Sequence, residues 1–237
     1  MLLFAGVLHG SVSGLERLYE VAEQSDCKAI IQLGDFGIHW PEPTNMIHEF
    51  FESVKPKIPL YFCDGNHENH TLLDSLWRQR GCPDVVPIVP GCFHVRRGTE
   101  LILDGRKILF MGGANTHKAS TELQWWPREM PDHGERMRFI RALEEKPDIV
   151  ASHDCPSGVG SDAAYYEEWS KNSSVAKFFH DALITTASRP TKWFFGHHHF
   201  LDSWDAYDTT FYCCGAHGES WTLKEENCVR HFLDSSV

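Results

Sequence analysis

No run in the 237-residue sequence approaches the roughly 18 to 20 unbroken apolar residues that a membrane span needs. The longest, such as Leu2 to Leu8, end within the length of a strand, so a soluble protein with no membrane partner is expected. That first run also lacks a basic flank, and His9-Gly10-Ser11 follows it where a signal peptide would carry a small-residue cleavage site, so the cytoplasm is the expected compartment. Positive charge is scarce. The 22 Lys and Arg against 33 Asp and Glu give a formal net charge of −11, which argues against stable nucleic-acid binding, because Lys and Arg must replace the counterions condensed on the phosphates. An anionic substrate would need positive charge supplied locally. Among the eight cysteines (27, 63, 82, 92, 155, 213, 214, 228) no Cys-x-x-Cys pair occurs, and several lie in apolar runs, so reduced and mostly buried thiols are expected rather than a zinc ribbon or a disulfide framework. Low-complexity tracts, long linkers and internal repeats are missing too. With 42% apolar residues the chain suits one core, hence a single domain over 1–237.

Apolar strand-like runs alternate with helix-period segments through the first half. Leu2 to Val7, Ala29 to Leu33 and Leu60 to Cys63 read as strands. Between and after them, three sets recur near the i, i+3, i+4, i+7 spacing of an amphipathic helix: Leu15, Leu18, Tyr19 and Ala22; Ile47, Phe50, Phe51 and Val54; Leu72, Leu73, Leu76 and Trp77. Strand, helix and strand in this order predict parallel pairing with helices outside. Cys92 to Arg96, Glu100 to Leu103 and Lys107 to Met111 are shorter, and Asp104-Gly105 between the last two signals a hairpin, so this middle portion is expected to be antiparallel. A helix over 132–144, a strand Ile149 to Ser152, a helix with Val175, Phe178, Phe179 and Ala182 on one face, and a strand Lys192 to Phe195 follow. The tail from Ser203 to Leu233 reads as antiparallel strands. The expected fold is α/β, with two mixed sheets packed face to face and helices outside.

Histidine is the abundant residue, at fifteen, and its placement is informative. Five predicted strands are each followed by metal-ligand residue types: His9-Gly10, Gly34-Asp35, Gly65-Asn66-His67-Glu68, His153-Asp154 and Gly196-His197-His198-His199. Any one of these alone is more often a turn or a surface histidine. A bland fold, however, has no reason to place them at the same end of five strands, where ligands of α/β sheets collect. Imidazole, carboxylate and amide oxygen together suit borderline divalent ions, Mn²⁺ foremost, with Fe, Zn or Ni as alternatives, and the set lacks the thiolates of a structural zinc site.

In order and over nearly the whole chain, Gly6-x-x-His9-Gly10, Gly34-Asp35, Gly65-Asn66-His67-Glu68, Ser152-His153 and Gly196-His197-x-His199 resemble the calcineurin-like metallophosphoesterases. The resemblance implies a four-layer αββα sandwich and a two-metal phosphoester hydrolase. Carried over by position, His9 and His199 would hold the first metal, Asp35 would bridge both, and Asn66, His153 and His197 would hold the second. His67 would face the leaving group. Two divalent ions roughly 3.5 to 4 Å apart acidify a bridging water and neutralise the phosphoryl oxygens during in-line attack. The segment from Gly112 to Glu129 resembles a bacterial and phage subgroup. Within it His117, Trp125, Trp126 and Arg128 are candidates to cover a pocket or clamp a phosphate, with core packing the favoured role for the tryptophans and a surface role for Arg128; His117, Arg128 and Asn66 are the candidate substrate contacts. The implied substrates are small phosphodiesters or nucleotides.

Two departures from the family pattern bear on activity. Val7 stands where the family's first element carries Asp, which removes one anionic ligand from the first metal; the alternative reading is a single-metal protein that binds phosphorylated ligands without useful turnover. Asp35 is followed by Phe36-Gly37-Ile38, not by the Asp-Arg-Gly continuation of protein phosphatases. Asp64 and Asp154, beside predicted ligands, could orient a histidine or replace the missing Asp, although solvated loop carboxylates are the favoured reading. His198 has no assigned role. A Rossmann reading fails on spacing, since Gly6, Gly10 and Gly14 are not Gly-x-Gly-x-x-Gly.

Overall fold

The structure, a computed structural model, describes residues 1–38, 46–116, 128–159, 173–216, 219–224 and 227–231. In chain order the elements are β1 (Leu2–Ala5), α1 (Val12–Gln24), β2 (Ala29–Leu33), α2 (Met46–Val54), β3 (Leu60–Cys63), α3 (His70–Gln79), β4 (Val85–Val89), β5 (Cys92–Val95), β6 (Thr99–Leu103), β7 (Arg106–Met111), α4 (His133–Glu144), β8 (Ile149–Ser152), α5 (Ser174–Thr185), β9 (Lys192–Phe195), β10 (Asp202–Ala206), β11 (Thr209–Cys213), β12 (Ser220–Lys224) and β13 (Asn227–His231). They form a seven-stranded sheet in the order β13-β12-β1-β2-β3-β5-β4 and a six-stranded sheet in the order β10-β11-β9-β8-β7-β6. Both are mixed, and the expected four-layer α/β sandwich is what forms.

Three apolar clusters show why. Leu3, Ile30, Phe62 and their neighbours on one face of the first sheet pack under Leu15, Phe50 and Leu73 of α1, α2 and α3. Val150, Trp193 and Phe211 of the second sheet pack under Phe139 of α4 and Phe179 of α5. Phe4, Ile31, Phe110, Ala151 and Phe194 fill the space between the sheets. Strands buried on both faces must be continuously apolar, which is why β1, β2, β3, β8 and β9 read so plainly. Phe4 and Phe194 stack with ring centroids 3.8 Å apart and join the two sheets. α4 begins at a capping box between Asp132 and Glu135, and Ser11, Asn69 and Ser173 cap α1, α3 and α5.

Some expectations fail for physical reasons. Cys92–Val95 is not part of an antiparallel unit with the next two strands: it pairs parallel with β3 in the first sheet, and the chain crosses between sheets before the β6–β7 hairpin. β4 pairs antiparallel with β5 at the sheet's edge, where Pro87 is tolerated because one side of an edge strand needs no donor. β11 runs parallel to β9 within a tail expected to be antiparallel. Val54, read as part of the buried face of α2, is exposed. No helix among the described residues is long and apolar enough to cross a membrane.

Candidate metal centre

β1, β2 and β3 are parallel neighbours in one sheet, and β8 and β9 are parallel neighbours in the other, so their carboxyl ends meet along one edge of the sandwich. Glycine allows the approach. A Cβ on Gly34 would lie 2.4 Å from His153 Nδ1, and one on Gly65 would lie 2.0 Å from Asp35 Oδ1. The backbone is bent as well. Of eleven non-glycine residues with positive φ among the described residues, seven occupy helix-end turns and hairpins, whereas the other four are His9, Asp35, His197 and His199. Each such residue costs of order 1–3 kcal/mol unless its surroundings impose it, and clustering of this kind marks functional sites.

The buried half of the site is tightly determined. His153, fully buried, donates Nδ1–H to the Leu33 carbonyl at 2.7 Å. In the neutral ring Nε2 is then a bare lone pair, and it faces Asn66 Oδ1 at 3.0 Å and Asp35 Oδ2 at 3.4 Å. The amide is fixed in turn: the Thr116 hydroxyl gives its proton to Glu129, so it can only accept from Asn66 Nδ2, at 3.2 Å. Glu129 also accepts from Thr116 N–H at 3.0 Å. Asp35 Oδ1 accepts the His67 backbone N–H at 2.8 Å, leaving Oδ2 turned toward the histidines. With His153 neutral, three acceptors converge here, an arrangement that a cation satisfies; in the metal-free chain a proton on His153 Nε2 serves instead, shared toward Asp35 and Asn66. His197 completes a set with Asp35 and His153 whose ligand atoms lie within 4.8 Å of one another.

The other half lies nearer the surface. His9 is half-buried and His199 exposed, and their Nε2 atoms stand 3.1 Å apart, with His9 Nε2 3.9 Å from Asp35 Oδ2. His67 lies edge-on to His9, with ring centroids 5.4 Å apart. Val7, wholly buried, is held by backbone pairing with Ala216 and by its N–H on Gly215, and its Cγ1 abuts Gly196.

Electrostatics follow from burial and from this convergence. Burial would raise Asp35, but His153 beside it overrides that and holds the carboxyl well below the usual range. Burial would lower His153, and the Asp35 carboxylate reverses the shift, so its pKa is raised. Burial lowers His9 to about 4 against the pull of Asp35, and burial also lowers His67 and His197. At neutral pH these three rings are therefore uncharged.

Two neighbouring carboxylates prove unlike solvated loop groups. Asp64 is buried and bound by Arg97 (Nε at 2.8 Å) and His94 (3.1 Å), and its pKa is held down chiefly by Arg97 against burial. Asp154 is buried and accepts from Cys155 N–H at 2.8 Å, Ser173 Oγ at 3.0 Å and His198 Nε2 at 3.2 Å. His198 thereby ties the loop after β9 to the loop after β8. The guanidinium of Arg128 lies on Asp132, Glu135 and Asp74 at 2.9, 3.1 and 3.4 Å. His117, Trp125 and Trp126 lie outside the described residues.

Several supporting residues escape sequence reasoning. Glu68 is buried and accepts Phe36 N–H at 2.6 Å and Gly37 N–H at 3.3 Å, holding the loop that presents Asp35; burial and then Asp35 raise its carboxyl to about 8. Gln32 bridges the Gly6 carbonyl at 2.9 Å and the Gly34 carbonyl at 2.7 Å. A polar residue inside an otherwise apolar strand was the available signal for Gln32. Thr116 and Glu129 carried none.

A family model described as calcineurin-like phosphoesterase matches residues 2–201. No curated protein sequence matches the chain. Among solved structures, the chain is similar to TT1561 of Thermus thermophilus, with a TM-score of 0.62 at 13% identity over 97% of each chain. It is also similar to GAP50, the anchor in the inner membrane complex of Plasmodium, with a TM-score of 0.51 at 13% identity over 96% of this chain and 76% of that one. Identities this low show a shared fold alone.

Proposed function

The chain belongs to the calcineurin-like phosphoesterases, and from that premise we propose that it hydrolyses small phosphodiesters or nucleotides at a dinuclear divalent-metal centre, with Mn²⁺ the best match to its ligands. The observation that carries this reading is the convergence of His153 Nε2 on Asn66 Oδ1 and Asp35 Oδ2, with His197 within 4.8 Å of both Asp35 and His153. Asn66, His153 and His197 would hold one ion and His9 and His199 the other, with Asp35 available to both. Bound there, divalent ions supply an acidified water as nucleophile and neutralise charge on the phosphoryl oxygens.

The chain's own groups do the rest. Asp35 keeps one oxygen on the His67 N–H and offers the other to both halves of the site. Leu33 holds the His153 tautomer and Thr116 the Asn66 amide, so neither ligand has to reorient when an ion binds. His67, neutral in the free protein because burial lowers it, gains proton affinity when a phosphoryl anion arrives beside it, and donates to the leaving oxygen. Such assistance is worth about 10² to 10⁴ in rate.

A second reading rests on Val7. An apolar, fully buried side chain at the end of β1 supplies no ligand, so an ion held by His9 and His199 would have Asp35 as the one anionic ligand of its proposed set. With only the buried half filled, the protein would bind phosphorylated ligands and turn them over poorly. Hydrolysis of bis(p-nitrophenyl) phosphate, measured with metal content on one preparation, decides. Mn²⁺-stimulated turnover supports the enzyme, and metal binding without turnover supports the second reading.

A further inference from the structure

The sequence gives no sign of a basic surface, yet five of its twelve arginines line one open cavity of about 690 Å³ between α3 and α4. They are Arg78, Arg96, Arg128, Arg138 and Arg141, with no lysine among the lining residues. An adjoining cavity of about 430 Å³ shares Asp74, Arg78 and Arg128 with it and runs along the stripe of α3 that starts at His70 and Thr71. α3 begins three residues beyond His67, and at about 1.5 Å per residue Arg78 lies roughly 12 Å farther along the helix. The groove therefore runs from the N-terminal end of α3, the helix that follows the loop carrying Asn66 and His67, and becomes arginine-rich with distance.

The arginines divide by role. Arg96 is mostly buried, pairs with Asp74 at 3.2 Å and stacks 4.3 Å over the Trp77 ring, while Arg128 engages Asp74, Asp132 and Glu135. These two are fixed by the wall. Arg138 meets only the exposed Asp84, at 3.8 Å, and Arg78 and Arg141 form no ion pair among the described residues. Arg78 and Arg141 each stand in the last turn of a helix, where a cation is favoured by the backbone dipole. The dipole accounts for each singly but not for guanidinium groups from two helices and a loop facing one concavity on a chain of net charge −11. Guanidinium forks bind phosphate oxygens in pairs, as lysine ammonium groups do not.

We propose that this groove is a phosphate-binding site in which Arg78, Arg138 and Arg141 hold phosphates remote from the bond being cleaved, making a polyphosphorylated small molecule the preferred substrate class. The assignment rests on the hydrolase reading for its link to catalysis, but not for the binding itself. Metal-free protein titrated with inorganic tripolyphosphate in a calorimeter should bind it, more weakly as salt rises. The Arg78→Ala/Arg141→Ala double variant should lose at least tenfold in affinity, whereas His9→Ala should not change it. Both arginines are exposed at helix ends, and an unchanged melting temperature checks that the double variant is folded. In the Mn²⁺-loaded enzyme the same double variant should raise KM for a nucleoside triphosphate at least tenfold and leave kcat, and KM for bis(p-nitrophenyl) phosphate, unchanged. Absence of tripolyphosphate binding, binding indifferent to the double variant, equal KM changes for both substrates, or arginine-dependent binding of a single-stranded oligonucleotide in preference to tripolyphosphate would each overturn the proposal. Failure of the hydrolase reading looks different: no diester turnover, with the binding results intact.

Discussion

The two halves of the candidate centre are built to different standards. On the β8 side, His153 and Asn66 are buried and each is oriented by a partner, Leu33 and Thr116, that leaves one ligand atom facing the site. On the β1 side, His9 and His199 sit near solvent and Val7 ends the strand with an apolar side chain. Preorganisation and the number of candidate ligands therefore coincide in one half and are both reduced in the other, while Asp35 is the one carboxylate facing each. An ion entering the β8 half would meet side chains already in place, whereas one entering the β1 half would have to order a surface imidazole with fewer partners to help. Asp64 adds a caution from close by. It is as buried as Asp35, but the permanent cation Arg97 and His94 satisfy it, whereas Asp35 faces imidazoles that can give up their protons to make room for an ion.

The largest effect should come from the residue both halves share. Asp35→Asn should abolish measurable turnover and lower metal content in both sites; retention of two ions per chain would break the bridging assignment. Next, His67→Ala should slow poor leaving groups by about 10² to 10⁴ with metal content unchanged. Loss of metal in that variant would make His67 a ligand. Thr116→Val removes the acceptor that orients Asn66 and should weaken the β8-side ion by about 10- to 100-fold, as changes to groups behind metal ligands do, with Thr116→Ser restoring it. If both variants bind alike, the amide is oriented by something else. The smallest expected effect concerns acid. Burial lowers His9 and His70 to about 4 in the folded chain, from 6.5, so the unfolded chain binds more protons between those values. The Glu68 carboxyl, raised from 4.5 to about 8, works the other way, so stability of the metal-free protein should rise slightly as pH drops from about 8 to 6.5 and then, where the two histidines outweigh the one carboxyl, fall as pH drops from about 6.5 toward 4. Melting temperatures that rise with acidification over this interval would contradict the assignment.

What could be read from the sequence was whatever repeats locally. β2, β3, β8 and β9 coincide with their predicted runs because strands covered on both faces are continuously apolar. The site's strand ends were legible because ligand-type residues directly follow those runs. β4 was missed because Pro87 reads as a strand breaker until its edge position is known. β5 was given the wrong neighbours because pairing is a long-range choice. The Asn66–Thr116–Glu129 chain joins residues 50 and 13 positions apart, and no local pattern announces it. Asp64 and Asp154 looked like surface residues because the partners that allow their burial, Arg97 and His198, are distant in sequence.

The inequality of the two halves is tested most directly by titrating Mn²⁺ into the metal-free protein and its Val7→Asp variant, with binding followed by calorimetry and electron paramagnetic resonance. The wild-type chain should fill one site at low Mn²⁺ and the second only at much higher concentration, without magnetic coupling between ions until the second fills. In Val7→Asp, the buried unpaired carboxylate should lower the melting temperature of the metal-free form. Its second ion should then bind at least tenfold more tightly, consistent with a ligand-scale contribution, and should restore more stability than it does in the wild type. Two equal sites in the wild-type chain, or a Val7→Asp titration superimposable on it, would contradict the account.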